Sequence, residues 1–370
     1  MRILWLHGPP AVGKSVTAWA TLNLASRAHP AIGYVDIDQL GMTHYYDQED
    51  VDPERHRLKG RALSAVAQEF AASGARALIV SGVIDPDLTN FYEDEIGPFA
   101  PVFVRLTAST DELRQRLLSR GVYAEDWGEV EAYARAVEVA DLPHHVVDTG
   151  ARTPDESAAA CVPILERMLD EDTVATPATV DAHGSRDGYE ARALLIGGTT
   201  AVGKSTIGWQ AFTASREAGR RSAFVDLRQL GFMGARGGPV DHQLQARTTA
   251  ALWQVLRAHG AHQLIMNGPV NRAAELEPYR RTLGSTPLSA VRLTADRHAL
   301  LERVKARLRG EMAPLAGDQL VGRPAREAMT IADAALRLQT EGTPGESVPS
   351  LDTTNLTPAE SAQRVLDAAT

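Results

Sequence analysis

The chain carries one cysteine, Cys161, so no intramolecular disulfide can form. That usage suits a reducing compartment. Cys161 itself reads as a small buried hydrophobe on a late helix, not as a nucleophile. Long apolar runs are missing too: none approaches the roughly 18 residues of a membrane span. The opening MRILWLHGPP is too short and too soon broken for a signal peptide. A soluble, cytoplasmic protein with no membrane partner is expected. Nor is there an excess of cations. The formal net charge is −9, which disfavours a chain built to grip nucleic-acid backbones. Apolar residues make up 44% and charged residues 23%, an ordinary globular balance, and 370 residues suggest two or three domains.

What is present is repetition. AVGKS stands at 11–15 and again at 201–205. YVDIDQLGM (34–42) matches FVDLRQLGF (224–232). SGV (81–83) parallels NGP (267–269), and VRLTA (104–108) recurs at 291–295. VVDTGARTPDESA (146–158) resembles SLDTTNLTPAESA (350–362). All five pairs keep the same order, which points to a tandem duplication. Residues 171–190 are rich in Thr, Ala, Pro, Asp and Gly and lack an apolar period, as a linker does. The expected domains are 1–170 and 191–370.

Within the first half, short apolar runs (RILWLH, IGYVDI, ALIVSG, PVFVRLT, HHVVDT) alternate with helical stretches such as SVTAWATLNLASRA. That alternation predicts an α/β fold, a mostly parallel five-stranded sheet with helices on both faces. Ligands of such sheets bind at the carboxyl ends of the strands.

GPPAVGKS (8–15) and GTTAVGKS (198–205) both satisfy G-x-x-x-x-G-K-[S/T], each between an apolar strand and a helix. A chance match in a chain this long is on the order of a one-per-cent event. The glycines let backbone N–H groups converge on phosphate oxygens, and the helix N-terminus adds partial positive charge. Lys14 and Lys204 are expected on the β- and γ-phosphates of ATP, and Ser15 and Ser205 on Mg²⁺. The nucleotide contacts expected are Gly8, Val12, Gly13, Lys14, Ser15 and Val16 in the first loop. In the second they are Gly198, Val202, Gly203, Lys204, Ser205 and Thr206. No N-K-x-D element is present, so ATP is expected rather than GTP.

Each half resembles the small P-loop kinases, among them shikimate, gluconate, adenylylsulfate and nucleotide kinases and chloramphenicol phosphotransferase. Four features carry the resemblance: the phosphate loop, the Asp of VDIDQL, the arginine helix RQRLLSR (114–120), and a last strand ending in DTG or DTT. It implies two tandem P-loop kinase-like domains. It also implies nucleotide-binding roles for Arg116 and Asp148, and for Arg303 and Asp352. Arg120 and Arg307 fall on the same arginine helices, Arg120 as a catalytic candidate. The arginines have an alternative reading as solvated helix-face charges.

Phosphoryl transfer needs cationic stabilisation and a carboxylate beside the acceptor hydroxyl. Asp36 and Asp38 lie two apart at a strand end, so alternation puts both on one face. This resembles the D-x-D of shikimate kinase. Asp36 is assigned mainly to the metal and Asp38 mainly to the acceptor, with a loop-capping role as the alternative. The second half keeps Asp226 for metal and catalysis but has Arg228 where the first has Asp38. The helix after strand two is expected to wall the acceptor pocket, which makes His56 and Arg61, and His242 and Arg247, candidate substrate contacts. Trp19 and Trp209 read as packing residues. Arg323 and Arg326 are possible lid cations.

These features favour an ATP-dependent phosphotransferase acting on a small-molecule hydroxyl, with its lead site in the first half. A nucleotide-sensing regulatory or scaffold protein and a nucleic-acid end kinase are the competing readings.

Overall fold

The computed structural model describes residues 1–44, 54–120, 127–140, 144–171, 190–230, 232–234, 240–311, 320–341 and 348–368. The expected linker thus lies almost wholly outside the described residues. In chain order the first half runs β1 (Arg2–His7), α1 (Lys14–Ala25), β2 (Ile32–Asp36), α2 (Arg55–Ala72), β3 (Ala77–Ser81), α3 (Thr89–Ile96), β4 (Val102–Thr107), α4 (Thr110–Arg120), α5 (Trp127–Val139), β5 (His144–Asp148) and α6 (Pro154–Asp170). The second runs β6 (Arg192–Gly198), α7 (Lys204–Glu217), β7 (Ser222–Asp226), β8 (Phe232–Met233), α8 (His242–Ala258), β9 (Gln263–Asn267), α9 (Ala273–Leu283), β10 (Leu288–Thr294), α10 (Arg297–Leu308), α11 (Ala328–Thr340), β11 (Ser350–Asp352) and α12 (Pro358–Asp367). Among the described residues no helix is long and apolar enough to cross a membrane.

The chain forms two compact units. Unit one comprises Met1–Gly41, Glu49–Asp181 and Gly231–Pro239; unit two comprises Met42–Gln48, Ala182–Leu230 and Val240–Thr370. The sheet of unit one is ordered β5-β4-β1-β3-β2-β8, and that of unit two β11-β10-β6-β9-β7. All pairings are parallel except the last one in unit one. β1, β2 and β3 are buried along almost their whole length, as strands covered on both faces are, whereas β5 lies at the sheet edge and is largely exposed. Trp5 on β1 is fully buried between Tyr92 and Phe103, at ring-centroid distances of 5.3 and 5.8 Å. In unit two Phe212 and Phe224 stack at 5.7 Å with Trp209 against both.

Unit one departs from the expected five strands. The outer edge of β2 is closed by antiparallel β8, with Gly33 opposite Met233 and Tyr34 opposite Phe232. The Gly234 N–H donates to the Ile32 carbonyl at 2.8 Å. Phe232 packs on Trp19, which also lies against Tyr34. The outer edge of β7 in unit two is treated likewise by residues that follow β2 in sequence. Thr43 bridges Ala223, and the Phe224 N–H donates to the Met42 carbonyl at 2.9 Å. An open edge leaves a row of unpaired backbone groups, and these short segments satisfy them. Trp19 and Trp209 are packing residues in this structure.

Helices α6 and α12 open with matching capping boxes, Thr153 with Glu156 and Thr357 with Glu360, each with Pro at the first position. Cys161 is buried in α6, where burial pushes its thiol up to about 11.

Candidate active site

Helices α1 and α7 begin differently from α6 and α12. Their N-caps are Gly13 and Gly203, both at φ 98°, with no side-chain cap and no acidic residue in the first turn. Their N-terminal donors are thus left for a ligand. Ala11 and Ala201 also hold positive φ, at 62° and 65°. Left-handed residues on either side of Val12 and of Val202 curl the chain into a concave nest of N–H groups that suits an anion. Gly8 cannot be replaced without strain: its φ is 137°, and a Cβ would stand 2.5 Å from the Leu106 carbonyl oxygen.

The lysines lie inside this curl. Lys14 Nζ donates to the Gly8 and Pro9 carbonyls, each at 2.9 Å. Lys204 Nζ donates to the Thr199 carbonyl at 2.5 Å. Burial, with Arg228 and Arg307 adding positive charge, brings the Lys204 ammonium down to about 7, although Asp226 acts the other way.

The strand-two carboxylates meet the loop serines. Ser15 Oγ donates to Asp36 Oδ2 at 3.2 Å, and Ser205 Oγ to Asp226 Oδ2 at 2.9 Å. Burial and the neighbouring Asp38 charge push the Asp36 carboxyl up to about 6. A hydroxyl beside one carboxylate is a hard-oxygen donor set, the kind Mg²⁺ uses together with water and substrate phosphates. Ser15 with Asp36, and Ser205 with Asp226, therefore fit that ion.

Asp38 is placed otherwise than alternation predicts. The strand ends at Asp36, whose Oδ1 accepts the Asp38 N–H at 2.9 Å and turns the chain into a 3-10 turn over Ile37–Leu40. Asp226 does the same with the Arg228 N–H, also at 2.9 Å. The capping role read as an alternative thus belongs to Asp36 and Asp226, in addition to their contact with serine. Asp38, carried on the turn, pairs with Lys59 Nζ at 2.6 Å. Burial would raise its carboxyl, but the Lys59 ammonium holds it below the ordinary carboxylate range, helped by Lys14 and Arg55.

His56 sits in the first turn of α2, half-buried, close enough to Lys59, Asp85, Arg55 and Asp38 for their charges to act on it. Burial and Lys59 lower its pKa, and its Nδ1 is buried without a hydrogen-bond partner. Arg61 lies 3.9 Å from Glu54 and over the Phe91 ring. In unit two His242 Nδ1 lies 3.3 Å from the Tyr279 hydroxyl, and Arg247 is half-buried on α8.

The helix arginines have a structural task. Arg116 donates to the Thr149 carbonyl at 2.7 Å, to the Gly150 carbonyl at 2.8 Å and to the Val12 carbonyl at 3.4 Å. Arg303 repeats this with the Thr353 and Val202 carbonyls at 2.7 and 3.3 Å. Thr149 Oγ1 and Thr353 Oγ1 also donate to those valine carbonyls. The last-strand loop is thereby stapled to the phosphate loop. The side chains of Val12 and Val202 are wholly buried, whereas Val16 is exposed and Thr206 half-buried in the first helical turn. Asp148 and Asp352 are exposed and cap their own turns, accepting from the Gly150 and Thr354 N–H groups. Arg120 closes α4, its side chain outside the described part of the chain. Of the lid stretches, 121–126 and 312–319 lie outside it as well; Arg323 pairs with Glu327, and Arg326 is exposed.

Three residues here escaped the sequence reading. Lys59 belongs to no motif. Asp85, which caps the turn after β3, carried no motif. His7, last in β1, is fully buried with both ring nitrogens unpartnered. A signal for Lys59 exists within the chain, since the Asp38-to-Arg228 change is accompanied by Lys59-to-Gln245.

No family model matches the sequence, and no curated protein matches it. Solved structures similar to about half of the chain include the tunicamycin resistance protein of Deinococcus radiodurans. It is 19% identical over 44% of this chain and 95% of its own, with a TM-score of 0.33. A gluconokinase from Sinorhizobium meliloti 1021 is 16% identical over 49% and 93%, TM-score 0.33. The APS kinase of Mycobacterium tuberculosis, solved with AMPPNP and APS, is 17% identical over 49% and 98%, TM-score 0.30. What decides the fold is the order of the parallel strands, the same in this chain's two units, with the central strand of each sheet feeding a phosphate loop and an uncapped helix. Each unit has a P-loop kinase-like fold. In both, the loop serine and the strand-two Asp meet at the carboxyl ends of the strands, where this fold takes its ligands.

Proposed function

We propose that the chain is an ATP-dependent phosphotransferase that moves the γ-phosphoryl group to a hydroxyl of a small molecule, with its lead site in unit one. The observation that carries this reading is the sequence of contacts Ser15–Asp36–Asp38–Lys59. It leads from the phosphate loop to a second carboxylate that the loop itself does not need. In this reading the loop N–H groups and Lys14 bind the phosphates and oppose the charge on the transferring oxygens. Asp38 orients the acceptor hydroxyl and takes its proton as the oxygen bonds to phosphorus and the bond to ADP breaks. His56, beside Asp38, helps to seat the acceptor. Mg²⁺, held by Ser15 and Asp36, supplies further neutralisation of phosphate charge when bound. The staple from Arg116 keeps the adjoining loop in register with the phosphate loop.

Unit two supports a second reading for its own site, nucleotide binding without transfer, because Arg228 stands where unit one has the acceptor carboxylate. We also read the chain as an internal duplication, with copies at 1–170 and 191–370 joined by 171–190. The five parallel strands of each sheet follow one order, and both loops share one geometry.

The test uses purified protein, labelled ATP, Mg²⁺ and pools of hydroxylated metabolites, nucleosides and antibiotics. Transfer to one pool is expected, lost in Lys14→Ala and retained in Lys204→Ala. Loss in Lys204→Ala alone overturns the assignment to unit one. ATP binding with no transfer to any pool overturns the enzyme reading in favour of a nucleotide sensor.

A further inference from the structure

Four of the chain's 38 lysines and arginines are lysine: Lys14, Lys59, Lys204 and Lys305. Two belong to the phosphate loops, and Lys305 sits on the surface of α10 beside Glu302. Lys59 is unlike that surface residue. Its side chain is 3% exposed, yet its ammonium reaches Asp38 Oδ1 at 2.6 Å, while Asp38 is 45% exposed. A buried ammonium is costly unless paired, so the pair holds the carboxylate to one position. The surroundings are fitted to the lysine stem. A Cβ on Gly41 would lie 2.9 Å from Lys59 Cγ, so the glycine leaves the space that the stem fills.

Unit two changes both members together. Arg228 replaces the carboxylate, and Gln245, equally buried, replaces the lysine. Gln245 donates to the Leu227 carbonyl at 2.8 Å and accepts from the Tyr279 hydroxyl at 3.0 Å. The helix position therefore still fastens the turn after strand two, but through a neutral side chain and the backbone. In unit one the same position fastens the acceptor carboxylate itself.

We infer that Lys59 is a positioning residue for transfer, holding Asp38 in the orientation in which it meets the acceptor hydroxyl, and that this pair is what separates a transferring unit from its partner. The inference rests on the proposed phosphotransferase reading. Lys14 binds phosphate directly; Lys59 acts only through Asp38.

The experiment is a double-mutant cycle in kcat on the full chain. Lys59→Met keeps the buried stem and is expected to lower kcat ~10²-fold, the scale of a small misplacement of a reacting group. The KM for ATP stays unchanged, because the phosphate loop is untouched. Lys59→Arg, which keeps the charge, recovers kcat to within about tenfold of wild type. In an Asp38→Asn background, Lys59→Met costs no further activity. Should Lys59→Met fail to fold, Asp38→Asn/Lys59→Met, a neutral pair, and Lys59→Arg carry the comparison. Wild-type kcat in Lys59→Met, equal losses in Lys59→Met and Lys59→Arg, or a full further loss in the Asp38→Asn background each overturns the inference while leaving the phosphotransferase reading intact. A wild-type chain that transfers to no acceptor overturns the reading itself.

Discussion

The Ser205 hydroxyl donates to Asp226 Oδ2 at 2.9 Å, joining the first turn of α7 to the end of β7. Two residues 21 apart in sequence thereby form one hard-oxygen pair at the phosphate loop. Asp226 also caps the turn that follows, through the Arg228 N–H. Asp226→Asn keeps a hydrogen-bonding oxygen but removes the charge. Binding of Mg²⁺–ATP at this site should weaken about tenfold to a hundredfold, the scale of one charge-assisted hydrogen bond. Calorimetric titration in a Lys14→Ala background isolates this site and checks the loss.

Lys204 links that site to pH. In the folded chain its ammonium loses its proton at about 7, against 10.5 for an ordinary lysine, because it is buried among other cations. Between those values the unfolded chain binds a proton that the folded chain has shed. The stability contribution therefore rises as pH increases from about 7 towards 10.5. A phosphate beside Lys204 restores the charged form. At about pH 8, ATP binding to unit two is expected to take up about one proton. Titrations in buffers of different ionisation enthalpy measure this, and Lys204→Arg should abolish it.

His7 predicts acid sensitivity in unit one. Burial, with His144, Lys14 and Arg105 adding positive charge, holds its pKa at about 3 against 6.5 when unfolded. The stability that depends on neutral His7 is complete above 6.5 and lost as pH falls towards 3. At about pH 4 the loss is on the order of 3 kcal/mol. Urea midpoints recorded from neutral to acid pH should fall more steeply for the wild type than for His7→Phe.

Phe232 tests the added strand. It packs on Trp19 at 5.3 Å, and β8 closes the edge of β2. Phe232→Ala should cost about 1–2 kcal/mol, less than the loss of a fully buried Phe, because its ring is half-buried. Urea unfolding followed by tryptophan fluorescence reads the change near Trp19.

The sequence by itself determined the local chemistry. G-x-x-x-x-G-K-S between an apolar run and a helix is a short-range pattern, and the backbone follows it: positive φ at Gly13 and Gly203, uncapped helices, lysines folded into the loop. Alternation of strand and helix also foretold the parallel sheets, because period and length are written along the chain. Tertiary structure decided what distant segments do to one another. Asp38 left the strand because a side-chain cap competed with the sheet ladder. Lys59 became its partner because α2 buries that one position against the turn. Strand β8 joined β2 across about 200 residues because an open edge takes whatever segment folding brings to it. No periodicity records such a choice, since its free energy comes from burial and pairing that exist only once the chain has folded.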